Sequence, residues 1–222
     1  MPSLPQLTFC EWLGTAFLLA AVVGSGIMAQ KLAGGNITLA LLCNTQPTGA
    51  ILVVLILVFG PLSGAHFNPA VSIAFALRRK VPWSTAAIFT IAQIVGAIAG
   101  VWMAHLMFDL PVWQLSVTTR ASLGQWVAEA VATFGLLLTI LGCMRHTPTS
   151  VPYAVGLYIT SAYWFTASTS FANPAVTIAR SLSNTFAGIA PSGVTAFIVA
   201  QLAGMLAAVG LSQWLWASER LP

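Results

Sequence analysis

Gly64-Ala65-His66-Phe67-Asn68-Pro69-Ala70-Val71-Ser72-Ile73-Ala74 is nearly restated farther on as Thr169-Ser170-Phe171-Ala172-Asn173-Pro174-Ala175-Val176-Thr177-Ile178-Ala179. In each copy the Asn suits a helix N-cap, and Pro at the first helical position gives up an N–H that has no helical partner there. From Asn68 to Leu77, and from Asn173 to Leu182, the chain supplies about ten residues, or ~15 Å of helix. A hydrocarbon core is about 30 Å thick, so each helix reaches halfway across. Two such halves predict re-entrant helices that enter from opposite faces and meet near the midplane.

Composition supplies the membrane. Hydrophobic residues make up 58% of the 222 positions and charged residues 5%. That is too little polar surface to cover a water-soluble domain, so the solvent is lipid. The net charge of +4 is therefore no nucleic-acid footprint, and its meaning lies in where the cations sit. Six spans are predicted: Phe9–Gln30, Leu39–Phe59, Trp83–Phe108, Leu123–Met144, Pro152–Ala167 and Val194–Trp216, the fifth being the shortest. No ionisable side chain lies between Leu13 and Gln30. The first span lacks a basic leader and carries Glu11, so it reads as a retained helix rather than a cleaved signal peptide.

Arg78, Arg79, Lys80, Arg145 and Arg220 fall on one side of this arrangement, and Lys31 and Arg120 on the other. By the positive-inside rule the first group is cytoplasmic, which places both termini inside. Trp102, Trp113, Trp126, Trp214 and Trp216 fall near predicted interfaces, where amphipathic rings settle.

The chain is one unit written twice. Glu11 and Thr15 of the first span match Glu129 and Thr133 of the fourth, and Ala92-Gln93 matches Ala200-Gln201. The expected unit is span, span, half-helix, span, covering about 8–108 and 123–217, with 109–122 as the linker of a single channel domain. Three spans per unit force the second copy to be inverted in the membrane. Gly96-x-x-x-Gly100 and Gly204-x-x-x-Ala208 place small residues one turn apart, suited to close helix crossings.

Glu11 and Glu129 are the only acids within predicted spans. An intramembrane carboxylate invites a proton-relay reading. Their matched repeat positions favour a structural one, in which each accepts hydrogen bonds from re-entrant backbone that must be satisfied inside protein. Cys10, Cys43 and Cys143 show no metal-ligand spacing, and His66, His105 and His146 are scattered without paired acids. No metal site, cofactor or catalytic group is expected.

The paired Asn-Pro-Ala motifs in these contexts resemble the aquaporin and glycerol-facilitator family over nearly the whole chain. The resemblance implies an all-α membrane protein of six transmembrane helices plus two re-entrant half-helices. It also implies a homotetramer in the lipid bilayer and a passive pore for small neutral solutes. Asn68, Pro69, Ala70, Asn173, Pro174 and Ala175 would form the centre. The backbone of Gly64, Ala65, His66, Ser170, Phe171 and Ala172 would line the path with carbonyls. Each half-helix N-terminus carries about half a positive charge, which opposes cations and protons.

The family's outer filter takes one residue from the second span, one from the fifth and two from the second loop. Counting back by the family's spacing gives Thr48 from Asn68. From Asn173 it gives Ser161, or Tyr163 if Gly156 sets the alignment. The loop supplies Ser170. Most members carry Arg directly after the second Asn-Pro-Ala, where this chain has Val176. Arg180, one turn on, has two readings: it leans toward the mouth or, the favoured one, it snorkels to the outer interface. A filter of Thr, Val and small residues suits polyols and neutral metalloid acids such as arsenite. The run from Asn173 through Arg180 to Ser183 also looks like bacterial aquaglyceroporins associated with arsenic resistance, implying a bacterial inner (plasma) membrane. The alternative is a secondary transporter, which can share inverted repeats and a midplane substrate site.

Overall fold

The computed structural model describes residues 2–217, and Arg220, assigned above to the Arg78 face, lies outside them. Among the described residues every regular element is helical: α1 Leu4–Leu32, α2 Ile37–Ser63, α3 Pro69–Leu77, α4 Trp83–Met107, α5 Leu123–His146, α6 Val151–Phe165, α7 Pro174–Arg180 and α8 Pro191–Leu215. Five of them, α1, α2, α4, α5 and α8, are long and apolar enough to cross a membrane. The 15 residues of α6 make about 22 Å of helix, less than a full hydrocarbon core. The short turn Pro148–Ser150 leads into it.

Local chemistry sets the ends. Asn36 Oδ1 accepts from the Leu39 N–H at 3.0 Å and opens α2, and Ser122 Oγ accepts from the Gln125 N–H at 3.2 Å and opens α5. The first helix starts at Leu4, earlier than the predicted Phe9. The second half-helix stops at Arg180, short of the predicted Leu182. There the N–H groups of Ser181, Leu182 and Ser183 reach back three residues, to Ile178, Ala179 and Arg180, at 3.1, 3.0 and 3.3 Å. These tight turns draw the last carbonyls out of the α pattern.

Glycine lets the long helices cross at backbone contact. A Cβ on Gly96 or Gly100 would run into the Trp12 or Ala16 carbonyl of α1, and one on Gly204 into the Ala130 carbonyl of α5. The α1–α4 and α5–α8 crossings are thus built alike. Gly49 of α2 and Gly156 of α6 press their backbones together in the same way, joining the two halves.

The half-helices interlock those halves. Val176 and Ala179 of α7 pack among buried residues of α1 and α4, whereas Ala70 and Ala74 of α3 pack among residues of α5, α6 and α8. The 109–122 linker closes over one end of the bundle. Its Ser116 N–H donates to the Ser181 carbonyl at 2.9 Å, and its Thr118 carbonyl accepts from the Ala190 N–H at 2.7 Å.

Candidate functional site: a cavity built on two strained loops

Both loops that precede the half-helices hold non-glycine residues in left-handed backbone. Ala65 and Phe67 have φ of 49°, while Thr169, Ser170 and Ala172 have φ of 62°, 50° and 48°. Such residues cost of order 1–3 kcal/mol each unless their surroundings over-determine them. Here the determinants are the two buried acids. Glu11 Oε1 accepts from Ser63 Oγ at 2.6 Å and the His66 N–H at 3.0 Å, and Oε2 from the Phe67 N–H at 2.7 Å and Gln93 Nε2 at 2.8 Å. Glu129 Oε1 accepts from the Phe171 N–H at 2.8 Å, and Oε2 from the Ala172 N–H at 2.9 Å and Gln201 Nε2 at 2.6 Å.

The glutamines complete each bracket by donating to the adjoining half-helix, Gln93 to Ser72 Oγ at 2.9 Å and Gln201 to Thr177 Oγ1 at 2.8 Å. In a planar trans peptide the C=O opposes the N–H. Because these N–H groups face the carboxylates, the carbonyls of Ala65, His66, Ser170 and Phe171 face the other way, into the cavity those residues line.

The half-helix starts meet. Asn68 Nδ2 donates to the Ala172 carbonyl at 2.7 Å, and Asn173 Nδ2 donates to the Phe67 carbonyl at 2.8 Å. Each Oδ1 caps its own helix, accepting from the Ala70 N–H at 2.9 Å and from the Ala175 N–H at 3.0 Å. An amide NH₂ has two hydrogens, so each Asn keeps one donor free of these bonds. Both side chains border the cavity.

That cavity encloses about 140 Å³. Its other wall is a set of stripes at four-residue spacing: Thr48, Leu52 and Ile56 on α2; Leu136, Ile140 and Met144 on α5; Val151, Val155, Ile159 and Tyr163 on α6. Along α6 alone, Val151 to Tyr163 measures about 18 Å. One side of the path is therefore hydrocarbon and the other is a ladder of acceptors with two amide donors at its centre. A small hydroxylated molecule can exchange its water for those groups, while the apolar side offers nothing to bind it tightly.

The structure sorts the predicted filter residues. Thr48, Ser170 and Val176 all line the cavity, and the Tyr163 hydroxyl lies 3.5 Å from Thr48 Oγ1. Ser161 does not belong with them. It is exposed on the outer face of α6, with Oγ donating to the Leu157 carbonyl at 2.9 Å. Two residues turn a helix by about 200°, so once Tyr163 faces inward Ser161 faces out. His66 borders the cavity farther in, with Nδ1 3.0 Å from Ser72 Oγ and its ring against Phe75 and Phe89.

Arg180 takes the less favoured of its two readings. It does not snorkel: its side chain is 2% exposed and borders the cavity one turn beyond Val176. Nε donates to the Ala187 carbonyl, and the guanidinium carbon sits 3.4 Å from the Phe171 ring centroid. Arg120, from the linker, lies 5.1 Å from the same centroid and donates to the Gly188 and Ser168 carbonyls at 3.0 and 3.1 Å. Burial draws its pKa below the ordinary arginine value, and the charge of Glu129 and then Tyr163 draw it back up. The signal for Arg180 was its four-residue spacing from Val176. Among the described residues, no group of three His, Cys, Asp or Glu side chains is placed to hold a metal ion.

Comparison with known proteins agrees with this geometry. Residues 2–149 match the family model described as Major intrinsic protein. The chain is 57% identical over 210 residues to aquaglyceroporin AqpS of Rhizobium meliloti (strain 1021), covering 95% of this chain and 90% of that one. It is 33% identical over 211 residues to a protein of Arabidopsis thaliana described as "Probable aquaporin NIP4-2", covering 92% of this chain and 72% of the relative. The X-ray structure of the aquaglyceroporin from Plasmodium falciparum superposes with a TM-score of 0.72 over 99% of this chain and 98% of that one. At 23% identity, that likeness speaks for the fold. The chain belongs to the major intrinsic protein family, whose members are integral membrane channels for small solutes.

Proposed function

We propose that the pore conducts water, glycerol-like polyols and neutral metalloid acids such as arsenite, passively and in either direction. The observation that carries this reading is the side-chain set at the linker end of the cavity, where Thr48 and Val176 stand without a guanidinium at position 176. An apolar β-branched residue at 176 leaves room there, and the guanidinium at this end comes instead from Arg180, one turn on. The name of the Rhizobium relative, an aquaglyceroporin, supports the polyol part of the reading.

A secondary transporter needs a site whose titratable groups change partners as access alternates. Glu11 and Glu129 are instead engaged by backbone and glutamine donors on both oxygens. That saturation favours the channel. The assembly that fits is a homotetramer with one cavity per subunit. Each subunit is a single domain of two repeats, 8–108 and 123–217, in the bacterial plasma membrane with both termini cytoplasmic. Cross-linking in membranes and protease access to terminal tags test assembly and orientation.

The deciding measurement is stopped-flow swelling of proteoliposomes under osmotic gradients, with no energy source, for water, glycerol, arsenite and methylated arsenic acids. Water and arsenite flux above empty vesicles is expected. Arsenite entry that needs an ion gradient would replace the channel with a transporter.

A further inference from the structure

The turn after α3 holds a cation where the backbone favours glycine. The Arg79 N–H donates to the Ala76 carbonyl and the Lys80 N–H to the Phe75 carbonyl, each at 2.9 Å. These two bonds close α3 in a Schellman motif, in which the residue after the cap is left-handed. That residue is Arg79, with φ of 57°. Glycine adopts this conformation without the steric cost that a side chain meets there. Arg79 is exposed, so no burial of its side chain offsets the cost. A strained residue at a surface turn points to a use for its side chain outside the fold.

Its neighbours add charge and fix its level in the bilayer. Lys80 is exposed, and Arg78 is half-buried, with Nη1 donating to Ser212 Oγ of α8 at 2.6 Å. The acids of the chain lie elsewhere. Glu11 and Glu129 sit in the two brackets, Asp109 follows the far end of α4, and Glu219 lies outside the described residues. Trp83 opens α4 three residues after Lys80 and is 57% exposed. Indoles of this kind settle at headgroup depth. The turn therefore stands at the level of lipid phosphates, at the opposite end of α4 from the linker.

We infer that Arg78, Arg79 and Lys80 form a docking surface for anionic phospholipids of the adjoining leaflet. Charge complementarity names the occupant: a lipid phosphate supplies the counter-charge that the described residues do not place there. The same lipid sets its chains beside Trp83, which a soluble anion does not. Two simpler duties also call for cations here, compensating the negative C-terminus of α3 and holding the turn on its own side of the membrane. Both depend on charge near the turn, and neither requires a side chain at the one position that favours glycine. The inference holds whatever the pore conducts.

The test uses the purified full chain in neutral detergent, its thermal midpoint followed against added phosphatidylglycerol or phosphatidylcholine of matched chains. Phosphatidylglycerol should raise the midpoint at mole ratios where phosphatidylcholine does not, and added salt should weaken the effect. In Arg79→Gly and in Lys80→Gln the half-saturating ratio should rise about fivefold. Without lipid, Arg79→Gly should melt no lower than the wild type, because it relieves the turn. Arg79→Lys should keep most of the lipid response. Lys31→Gln, in the last turn of α1 at the other end of the bundle, should keep all of it. Glycerol phosphate, a headgroup without chains, should not substitute for the lipid.

Equal responses to the two lipids in the wild type would overturn the docking surface. So would a phosphatidylglycerol response that Arg79→Gly and Lys80→Gln leave intact. A lower lipid-free midpoint in Arg79→Gly would overturn it too, by assigning the cation to the C-terminus of α3. An equal shift from glycerol phosphate would replace the lipid with a soluble anion, and a response lost in Lys31→Gln would reduce it to overall charge.

Discussion

The two re-entrant loops share a frame and differ in what hangs on it. The offset that separates Asn68 from Asn173 also pairs Ala65 with Ser170, Phe67 with Ala172, Val71 with Val176 and Phe75 with Arg180. Backbone strain is matched at the first two of those pairs, and all of these residues line one cavity. Yet the first half places a phenyl ring where the second places a guanidinium. His66 of the first loop, bonded to Ser72, corresponds to Phe171, which carries Arg180 on its face. Duplicated positions hold the path open, and unmatched positions give its two ends different chemistry. One end is aromatic and neutral; the other is cationic.

The brackets differ too, and breaking them should produce the largest effects. Glu11 takes four donors and Glu129 takes three: Ser168, which matches Ser63, accepts from the Ser170 N–H as Ser63 does from the Ala65 N–H, but only Ser63 also donates to its acid. A Gln in place of either acid has one acceptor oxygen and sets its NH₂ against backbone N–H groups. Glu11→Gln should cost roughly 3 kcal/mol or more, and Glu129→Gln somewhat less, each buried polar mismatch being worth about 1–3 kcal/mol. Thermal unfolding in detergent gives the order. If Glu129→Gln folds as the wild type does and abolishes a proton-coupled uptake, the acid is a relay and not a bracket.

The next effect belongs to the junction. Asn173→Ala removes the cap on α7 and the bond to the Phe67 carbonyl. Asn68→Ala does the same to α3 and Ala172. Loss of a cap costs about 1 kcal/mol, so both variants should fold, with reduced solute flux and a detectable cation leak. The two should behave alike, because the junction is where the halves are most nearly equal. Unchanged flux and intact ion exclusion in both would show that solutes do not pass between these amides.

Much of this was legible in the chain because local chemistry wrote it twice. An Asn cap followed by Pro is a helix start whatever surrounds it, and a repeated intramembrane Glu needs donors that a re-entrant loop supplies. Gln93 and Gln201 were visible as repeat landmarks, although only their position showed that they brace the half-helices. Ser161 was misplaced because counting back through a loop does not give the phase of the helix before it. Arg180 was misread for a different reason. An arginine at the end of a half-helix reaches water only if that end is open. Here the linker and the 181–190 segment close over it, so the side chain turns along its helix face into the cavity.

A smaller and more selective effect is expected at Val176. Val176→Arg adds a second guanidinium one turn from Arg180, narrowing the cationic end and leaving the aromatic end untouched. Arsenite and glycerol flux should fall several-fold more than water flux, and Thr48→Phe should deepen the loss, since both side chains border the cavity. Val71→Arg, at the matched position of α3, is the control that sharpens the comparison: it narrows the other half and tests whether selection is set at one end. Equal arsenite and water permeability ratios in Val176→Arg and wild type would mean that position 176 does not meet the solute.

The smallest effect should come from Ser161, and its smallness is the point. On α6 the cavity stripe is Val151, Val155, Ile159 and Tyr163, a run of one-turn steps that leaves no place for residue 161. Its hydroxyl bonds its own helix at Leu157, so Ser161→Ala removes one exposed hydrogen bond of a kind worth a few tenths of a kcal/mol at most. Expression, thermal midpoint and the arsenite-to-water ratio should all match the wild type. Tyr163→Ala, two residues on, instead removes the ring beside Thr48 and Arg180 and should raise glycerol flux relative to water. Were Ser161→Ala to shift the solute ratio while Tyr163→Ala left it alone, α6 would have to be turned by about half a revolution, and Thr48 would lose its partner across the cavity.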